Sequence, residues 1–176
     1  MYPFFKRLFD IIFSGLAIIL LTPILIPIIF GLKITGEGYV WYKQERLGLN
    51  NNPFFIWKFA TMLKDSSSMP GGYITLRKDP RLTPMGDFLR KSKINELPQL
   101  FNIFIGQMSI VGPRPVMKVS FNSYPDNVKN IIYNVKPGLT GVGSIIFRDE
   151  EQLITNEKNN GRDVQSFYTN KIYPFK

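Results

Sequence analysis

Residues 91–115 read KSKINELPQLFNIFIGQMSIVGPRP and combine a helix start, a helical stripe and a rigid turn. Asn95 is of a residue type that commonly caps a helix N-terminus, and Gly106 occupies the position of a C-terminal cap. Between them four apolar residues recur with helical spacing: Leu97, Leu100, Phe101 and Phe104. The stretch therefore predicts a helix that begins at Asn95 and packs its apolar stripe against a core or a membrane.

The same stretch also predicts a site for an anion. A helix start at Asn95-Glu96 would present free N–H groups and the positive end of the helix dipole, which favour phosphate. Arg114 lies between two prolines, so its guanidinium is carried on a stiff, extended turn. Because Arg binds phosphate through two parallel hydrogen bonds, Arg114 is a candidate phosphate ligand.

Residues 11–32 form an uncharged apolar run, long enough as a straight helix of about 1.5 Å per residue to cross a bilayer core. Pro23 and Pro27 lack N–H groups, so we expect a break at Thr22-Pro23 that divides the run into two short helices. The Thr22 hydroxyl is expected to bond back to a freed carbonyl. A signal peptide is disfavoured, because no cleavage site follows. A kinked single-pass helix, a re-entrant helix-break-helix and a buried core helix stay open on the residues alone.

Composition narrows the chemistry. The 176 residues are of single-domain length and include neither Cys nor His, which excludes thiol chemistry and the commonest zinc ligands. Acid–base work must therefore fall to carboxylates or Lys, and any metal should be an oxygen-ligated ion such as Mg²⁺. The net charge of +9 predicts an anionic partner such as a phospholipid membrane or a nucleotide phosphate. Nucleic acid is not expected as a partner, because the basic residues follow no nucleic-acid-binding signature.

The remaining pattern predicts a helix-dominated α+β fold. Alternating residues around 39–42 and 54–57 indicate two short strands joined by a turn at residues 48–53. A polar loop is expected over residues 64–72, and Thr83-Pro84 is expected to start a helix. Further predictions are a helix at residues 127–135, a turn-rich loop at 136–141 and a final helix that begins at residues 149–151.

Four short motifs occur in order after the apolar run: QERLG at 44–48, ELPQL at 96–100, MSIVGPRP at 108–115 and KPGLTG at 136–141. This order resembles the bacterial sugar transferases of the monotopic phosphoglycosyl transferase family. The resemblance implies a re-entrant membrane helix over residues 1–34 and a catalytic domain over residues 35–176, at the cytoplasmic face of the inner membrane. It also implies transfer of a sugar-1-phosphate from a UDP-sugar to undecaprenyl phosphate, with Mg²⁺ and release of UMP, as the first membrane step of surface glycan assembly.

The resemblance also implies roles for individual residues. Asn95 stands at the position of the family's nucleophilic Asp, and Glu96 stands at the adjacent Glu, which is also our first candidate for a metal ligand. Phosphate or nucleotide contacts are expected from four cations: Lys58 of the KFRTM-like motif, Arg81 of the DPR motif, Arg90 and Arg114. Asp149 and Glu150 are secondary candidates for Mg²⁺, whereas Glu151 is explained as part of a charged first helical turn.

Two positions depart from the family pattern. Ala60 replaces the Arg of KFRTM, and Asn95 replaces the nucleophilic Asp. An amide carries no charge and is a very poor donor to phosphorus, so Asn95 cannot act as that nucleophile. Glu96 could supply the nucleophile or base, the chain could be a catalytically silent relative that binds nucleotide-sugar or lipid phosphate as a scaffold or regulator, or Asn95 could trap a resting state.

Overall fold

A computed structural model describes residues 2–69, 75–76, 78–122 and 124–172 of the chain. Its helices are α1 Tyr2–Ile34, α2 Gly86–Lys91, α3 Gln99–Ile105, α4 Lys118–Asn122, α5 Asp126–Lys129, α6 Val142–Ile146, α7 Glu150–Asn159 and α8 Val164–Phe167. Its strands are β1 Trp41–Leu47, β2 Pro53–Phe59, β3 Ser109–Val111 and β4 Gly138–Thr140. The predicted helix-dominated α+β class is confirmed. The end of the loop predicted over residues 64–72 lies outside the described residues.

The predicted hairpin is confirmed and is longer than expected. Strands β1 and β2 pair antiparallel, from Trp41 opposite Phe59 to Leu47 opposite Pro53. The connecting turn places Asn50 and Asn51 at positive φ, a conformation that Asn tolerates better than most residues. Alternation along the pair puts Arg46 and Lys58 on the same face of the hairpin.

The loop predicted at residues 136–141 instead contains a strand, because β4 pairs parallel with β3. Ser109 lies opposite Gly138, and Val111 lies opposite Thr140. A Cβ atom at Gly138 would collide with the backbone of Gly112, so these two segments can approach this closely only with glycine at position 138. Three-residue strands carry too little alternation to be recognised in a sequence.

Helix α1 is a single helix of 33 residues, and the predicted division at Thr22-Pro23 is wrong. The Thr22 hydroxyl does bond back, at 2.7 Å, but to the carbonyl of Ile18. Proline lacks the N–H that would reach the carbonyl four residues earlier, which here belongs to Ile19. Helical backbone thus continues through both prolines, and only single hydrogen bonds are lost. By length and composition alone, α1 could cross a membrane, with a mean hydropathy of 2.6 in its most apolar window.

Both ends of α1 pack against the same domain. Near the N-terminus, the buried Asp10 carboxylate accepts hydrogen bonds from the Ser109 hydroxyl at 3.1 Å and the Ile110 N–H at 3.0 Å. Near the C-terminus, Leu25, Ile28 and Leu32 pack into a cluster with Phe59 and Leu89. The opposite face of α1 stays exposed and carries large apolar side chains, including Phe5, Phe9, Phe13, Leu16, Leu20 and Phe30.

Helix α3 is fixed to the hairpin by a buried amide. The Asn102 side chain accepts from the Trp57 N–H at 3.0 Å and donates to the Phe55 carbonyl at 2.8 Å. Ile103 is fully buried beside Ile56, and Gly106 ends the helix at φ 95. The predicted C-terminal cap at Gly106 is confirmed, with its N–H bonded to the Ile103 carbonyl at 3.0 Å.

Several predicted helix boundaries are wrong. Asn95 does not cap a helix: it lies inside a 3₁₀ turn, Ile94–Glu96, that follows Lys93 at φ 60, and α3 begins only at Gln99. The Glu96 N–H donates to the Lys93 carbonyl at 3.1 Å, so the predicted free N–H for phosphate is already used. The left-handed Lys93 causes this, because it closes a tight turn directly after α2.

The other boundary errors have tertiary causes. Helix α2 begins at Gly86 because the chain at Thr83 is held by a hydrogen bond to the Thr61 carbonyl, and the Thr83 hydroxyl has no partner among the described residues. The helix predicted at residues 127–135 is only α5, since Tyr133 turns into the core. Helix α7 starts at Glu150 as predicted, but α8 follows it.

Candidate active site

One open cleft of about 930 Å³ is lined by the residues that the sequence predicts as catalytic or phosphate-binding. It lies between the hairpin, the 3₁₀ turn before α3, the segment after Arg114 and the start of α7. Its lining includes all six predicted site residues: Lys58, Arg81, Arg90, Asn95, Glu96 and Arg114. These six residues come from five separate parts of the chain and face one space, and their chemical roles remain predictions.

The centre of the cleft is a carboxylate held between two cations. Oε1 of Glu96 lies 3.3 Å from Nζ of Lys58 and 3.0 Å from Nη2 of Arg114. Lys58 is presented by β2, Glu96 by the 3₁₀ turn, and Arg114 by the GPRP turn. The Glu96 and Lys58 side chains are about one-sixth exposed, so the group is sheltered but reachable.

Burial and the neighbouring charges shift the pKa values of Glu96 and Lys58. Burial opposes ionisation of Glu96, but the charges of Arg114 and Lys58 outweigh it and hold the pKa of the carboxyl far below its usual range. Burial disfavours the Lys58 ammonium and lowers its pKa to about 8, although Glu96 partly compensates. Glu96 is therefore a carboxylate at all physiological pH values, while Lys58 can change charge in the mildly alkaline range.

Arg81 and Arg90 line the cleft but are already paired. The Arg81 guanidinium forms a two-pronged ion pair with Asp79, from Nε to Oδ1 at 2.9 Å and from Nη2 to Oδ2 at 2.7 Å. Nε of Arg90 donates to Glu151 at 2.7 Å, which gives Glu151 a role beyond a charged helical turn. Phosphate binding by Arg81 or Arg90 therefore requires exchange of these partners or a shared contact.

Asn95 is buried, and its Oδ1 atom has no hydrogen-bond donor among the described residues. A buried amide oxygen without a donor is unfavourable, so the position is poorly explained as a purely structural one. Ala60 is also buried and lines the cleft, and its small side chain leaves space where the family pattern has an Arg. The two departures from the family pattern therefore both lie in the cleft.

Tyr133 holds the turn that carries Arg114. Its buried hydroxyl donates to the Arg114 carbonyl at 2.8 Å and accepts from the Val116 N–H at 2.9 Å. Burial raises the pKa of this phenol, so it stays protonated and able to donate. Two backbone groups of the turn, the Arg114 carbonyl and the Val116 N–H, depend on this single oxygen.

Replacing Tyr133 with Phe should lower the free energy of unfolding by about 1–3 kcal/mol, because the Val116 N–H and the Arg114 carbonyl would lose their partner. Thermal and denaturant unfolding in detergent would measure the change. Tyr39→Phe, at a half-exposed tyrosine, is the matched control and should have little effect. Equal stabilities for the two variants would show that the hydroxyl does not hold the turn.

Arg46, Gln99 and Tyr133 are neighbours of the site that sequence reasoning missed. The QERLG motif contained Arg46, but only the strand register places its side chain on the face that carries Lys58. Tyr133 lies in an unremarkable apolar stretch, and its role depends on a contact 19 residues away in the chain. Knowledge of the hairpin register alone would have identified Arg46.

The donors present fit Mg²⁺ only together with substrate phosphate. No cluster of three or more His, Cys, Asp or Glu side chains occurs within the described ranges. Glu150 lines the cleft with Glu96, whereas Asp149 is exposed outside it. Both cations bind Oε1 of Glu96, and a divalent ion beside them needs added negative charge. Mg²⁺ commonly takes one or two carboxylates and completes its shell with phosphate and water, which matches this set.

Comparison with known proteins places these features in a family. The model of the bacterial sugar transferase family matches residues 1–172. A UDP-glucose:undecaprenyl-phosphate glucose-1-phosphate transferase of Klebsiella pneumoniae is 41% identical over 143 residues, which cover 80% of this chain and 30% of the relative. The exopolysaccharide production protein ExoY of Sinorhizobium fredii is 36% identical over 176 residues, which cover 92% of this chain and 77% of the relative.

An undecaprenyl-phosphate galactose phosphotransferase of Salmonella typhimurium is 33% identical over 162 residues, which cover 84% of this chain and 33% of the relative. The matched region thus spans about a third of the Klebsiella and Salmonella relatives and about three-quarters of ExoY. The family match covers the long apolar helix, the hairpin and every residue of the charged cleft. The chain therefore belongs to the bacterial sugar transferase family.

Proposed function

We propose that this protein transfers a sugar-1-phosphate from a UDP-sugar to undecaprenyl phosphate and releases UMP, as the first membrane step of surface glycan assembly. The observation that carries the proposal is the Glu96 carboxylate held between Lys58 and Arg114 in the cleft. Phosphoryl transfer depends mainly on positioning and charge stabilisation, and this group offers both. Donor and acceptor classes follow the names of the Klebsiella and Salmonella relatives.

In this proposal Glu96 takes the part of the nucleophile. A carboxylate oxygen of Glu96 forms a bond to the β-phosphorus of the UDP-sugar, and the bond from that phosphorus to the bridging oxygen breaks. UMP leaves with the electron pair. An oxygen of undecaprenyl phosphate then attacks the same phosphorus, the bond to Glu96 breaks, and the carboxylate is restored. Asn95 cannot do this work, because an amide is a very poor donor to phosphorus.

Lys58 and Arg114 stabilise the reacting phosphoryl group. In the described state both cations bind Glu96, so their charges already lie at the carboxylate that attacks. As Glu96 gives up its charge to the new bond, the two cations are freed to neutralise the phosphoryl oxygens. Mg²⁺, held by Glu96 or Glu150 and the substrate diphosphate, would supply further neutralisation of the leaving UMP.

We propose that α1 associates with the membrane without crossing it, so that both of its ends stay on the cytoplasmic side. Asp10 at one end of α1 and Leu32 at the other both pack on the same domain, so a straight crossing would separate contacts that the structure keeps together. The exposed apolar face of α1 would then lie in the cytoplasmic leaflet of the inner membrane, while Lys6, Arg7 and Lys33 meet anionic headgroups. Because the chain has no native Cys, Phe4→Cys and Glu37→Cys should both react with an impermeant maleimide from the cytoplasmic side only.

The deciding experiment is UMP release from a panel of UDP-sugars by lipid-embedded protein with Mg²⁺ and undecaprenyl phosphate. The chain as it stands should turn over, and intact mass spectrometry after rapid quenching should find a phosphosugar adduct at Glu96. Turnover that appears only in Asn95→Asp would instead assign the nucleophile to residue 95. Silence of both, with UDP-sugar binding retained, would favour the binding-only relative.

The rate should also fall as pH rises through the pKa of Lys58, about 8, because the ammonium loses its charge. At low substrate, UMP release should decline about tenfold per pH unit above that value. Unfolding would not explain the decline. The ordinary pKa of a lysine is 10.5, so between about pH 8 and 10.5 the unfolded chain holds this proton more tightly than the folded protein does. The free energy of unfolding therefore rises with pH across this range. Lys58→Arg should keep its charge and remove the decline, and a wild-type profile flat to pH 9.5 would contradict this role.

A further inference from the structure

Arg46 is a largely buried cation to which the proposed mechanism gives no part. It lies on β1 opposite Phe54, and its side chain lines the cleft together with Lys58 and Arg114. Its Nη2 atom donates to the side-chain oxygen of Gln44. Its Nε atom is buried and has no acceptor among the described residues. A buried donor without a partner is unfavourable, so something must compensate for it in the working protein.

Space for an acceptor exists beside this group. A small polar recess of about 10 Å³ is lined by Arg46, Lys58, Gln99 and Arg114, with Pro115, Gly138 and Leu139 among its walls. That volume holds about one oxygen atom, either of a water molecule or of a phosphoryl group. Every polar side chain in the lining can donate a hydrogen bond, and three of them are cations. The recess therefore suits an acceptor that carries negative charge.

The charge balance supports an anion over water. Arg46, Lys58 and Arg114 contribute three positive charges, and Glu96 is the carboxylate bonded to two of them. Even when Glu150 is added as a neighbour of Arg114, the group keeps a net positive charge. Burial, and to a smaller extent the charge of the nearby Arg114, lower the pKa of Arg46 to about 10, so lost hydration and a neighbouring cation both oppose its charge. A neutral water would relieve the missing hydrogen bond but not the repulsion.

We propose that Arg46 is a substrate-binding residue whose Nε–H donates to a phosphoryl oxygen of the nucleotide-sugar diphosphate, with that oxygen seated in the recess. The identity of the ligand rests on the proposed function, whereas the recess requires only a phosphoryl oxygen. Arg46, Lys58 and Arg114 together form a phosphate-binding group of three cations, here called the cradle. The role needs the planar fork of arginine, because lysine carries the charge without an Nε–H in this position.

Binding of UDP and of uridine to lipid-embedded protein, measured by calorimetry and by competition with a fluorescent UDP analogue, tests the proposal. Arg46→Lys keeps the charge but removes the planar guanidinium and its Nε–H, so UDP affinity should fall about 10- to 100-fold. Uridine, which has no phosphate, should bind equally to the wild type and the variant. Arg162→Lys is the matched control, since Arg162 is exposed in the segment that follows α7 and pairs with Glu157. Its UDP affinity should not change.

The outcomes separate this proposal from the transferase function. UDP affinity that depends on Arg46 without any UMP release would support the cradle and overturn the transferase. UMP release with an unchanged UDP affinity and KM in a folded Arg46→Lys variant would leave the transferase intact and overturn the cradle, assigning the recess to water. Near-UV circular dichroism establishes that the variants are folded. If charge and geometry both contribute, UDP affinity should fall more in Arg46→Gln than in Arg46→Lys.

Discussion

Glu96→Gln is expected to lower the rate of UMP release by about 10²- to 10⁴-fold while leaving the binding of UDP intact or tighter. The substitution keeps the size of the side chain but removes the charge that attacks phosphorus in the proposed mechanism. It also removes the charge that binds Lys58 and Arg114 to their shared oxygen, so both cations become more available to the diphosphate. Parallel measurement of UMP release and UDP affinity separates the two effects.

The matched control is Glu45→Gln, at an exposed acid on the same hairpin, which should retain both the rate and the affinity. Glu96→Gln should also be less stable, because two sheltered cations lose their partner, and added UDP should restore much of the lost stability. A Glu96→Gln variant that keeps the wild-type rate would remove Glu96 from the chemistry. A variant that loses rate and UDP affinity in proportion would assign Glu96 to binding.

The sequence predicted those parts of the molecule whose signals are local. Alternation identified the hairpin, and an uncharged run identified α1, because each pattern repeats several times within one element. The predicted cations and Glu96 line the same cleft, as the motifs that contain them suggested. Their positions in the chain gave no distances, and the pairing of Arg81 with Asp79 and of Arg90 with Glu151 was visible only in the structure.

What the sequence could not predict depends on tertiary contacts. Asn95 has the residue type of a helix cap, yet the left-handed Lys93 places it inside a 3₁₀ turn and turns its amide into the protein interior. Pro23 is a helix breaker by type, yet α1 is continuous, since a helix packed along its length on a domain tolerates the loss of one hydrogen bond. In both cases intrinsic preference is smaller than the packing energy that opposes it.

Asp10→Ala is expected to detach the N-terminal part of α1 from the domain and to lower the free energy of unfolding by about 2–4 kcal/mol. The buried carboxylate accepts from the Ser109 hydroxyl and the Ile110 N–H and lies 3.7 Å from Nζ of Lys6. Its removal leaves the Ile110 N–H without an acceptor at the start of β3. Unfolding in detergent and hydrogen exchange at β3 would measure both consequences.

Asp126→Ala removes an acid with the same kind of short-range Lys partner, but on an exposed part of α5, so it isolates the effect of burial and should change stability very little. If Asp10→Ala weakens only β3 while UDP affinity persists, the contact serves to hold the domain against α1 rather than to form the cleft. In the proposed function the apolar end of the acceptor lipid lies in the bilayer and the charged cleft lies on the domain, so such a variant should lose transfer to undecaprenyl phosphate more than it loses UDP binding. Equal stability of the two Asp variants would show that the Asp10 carboxylate does not hold α1 on the domain.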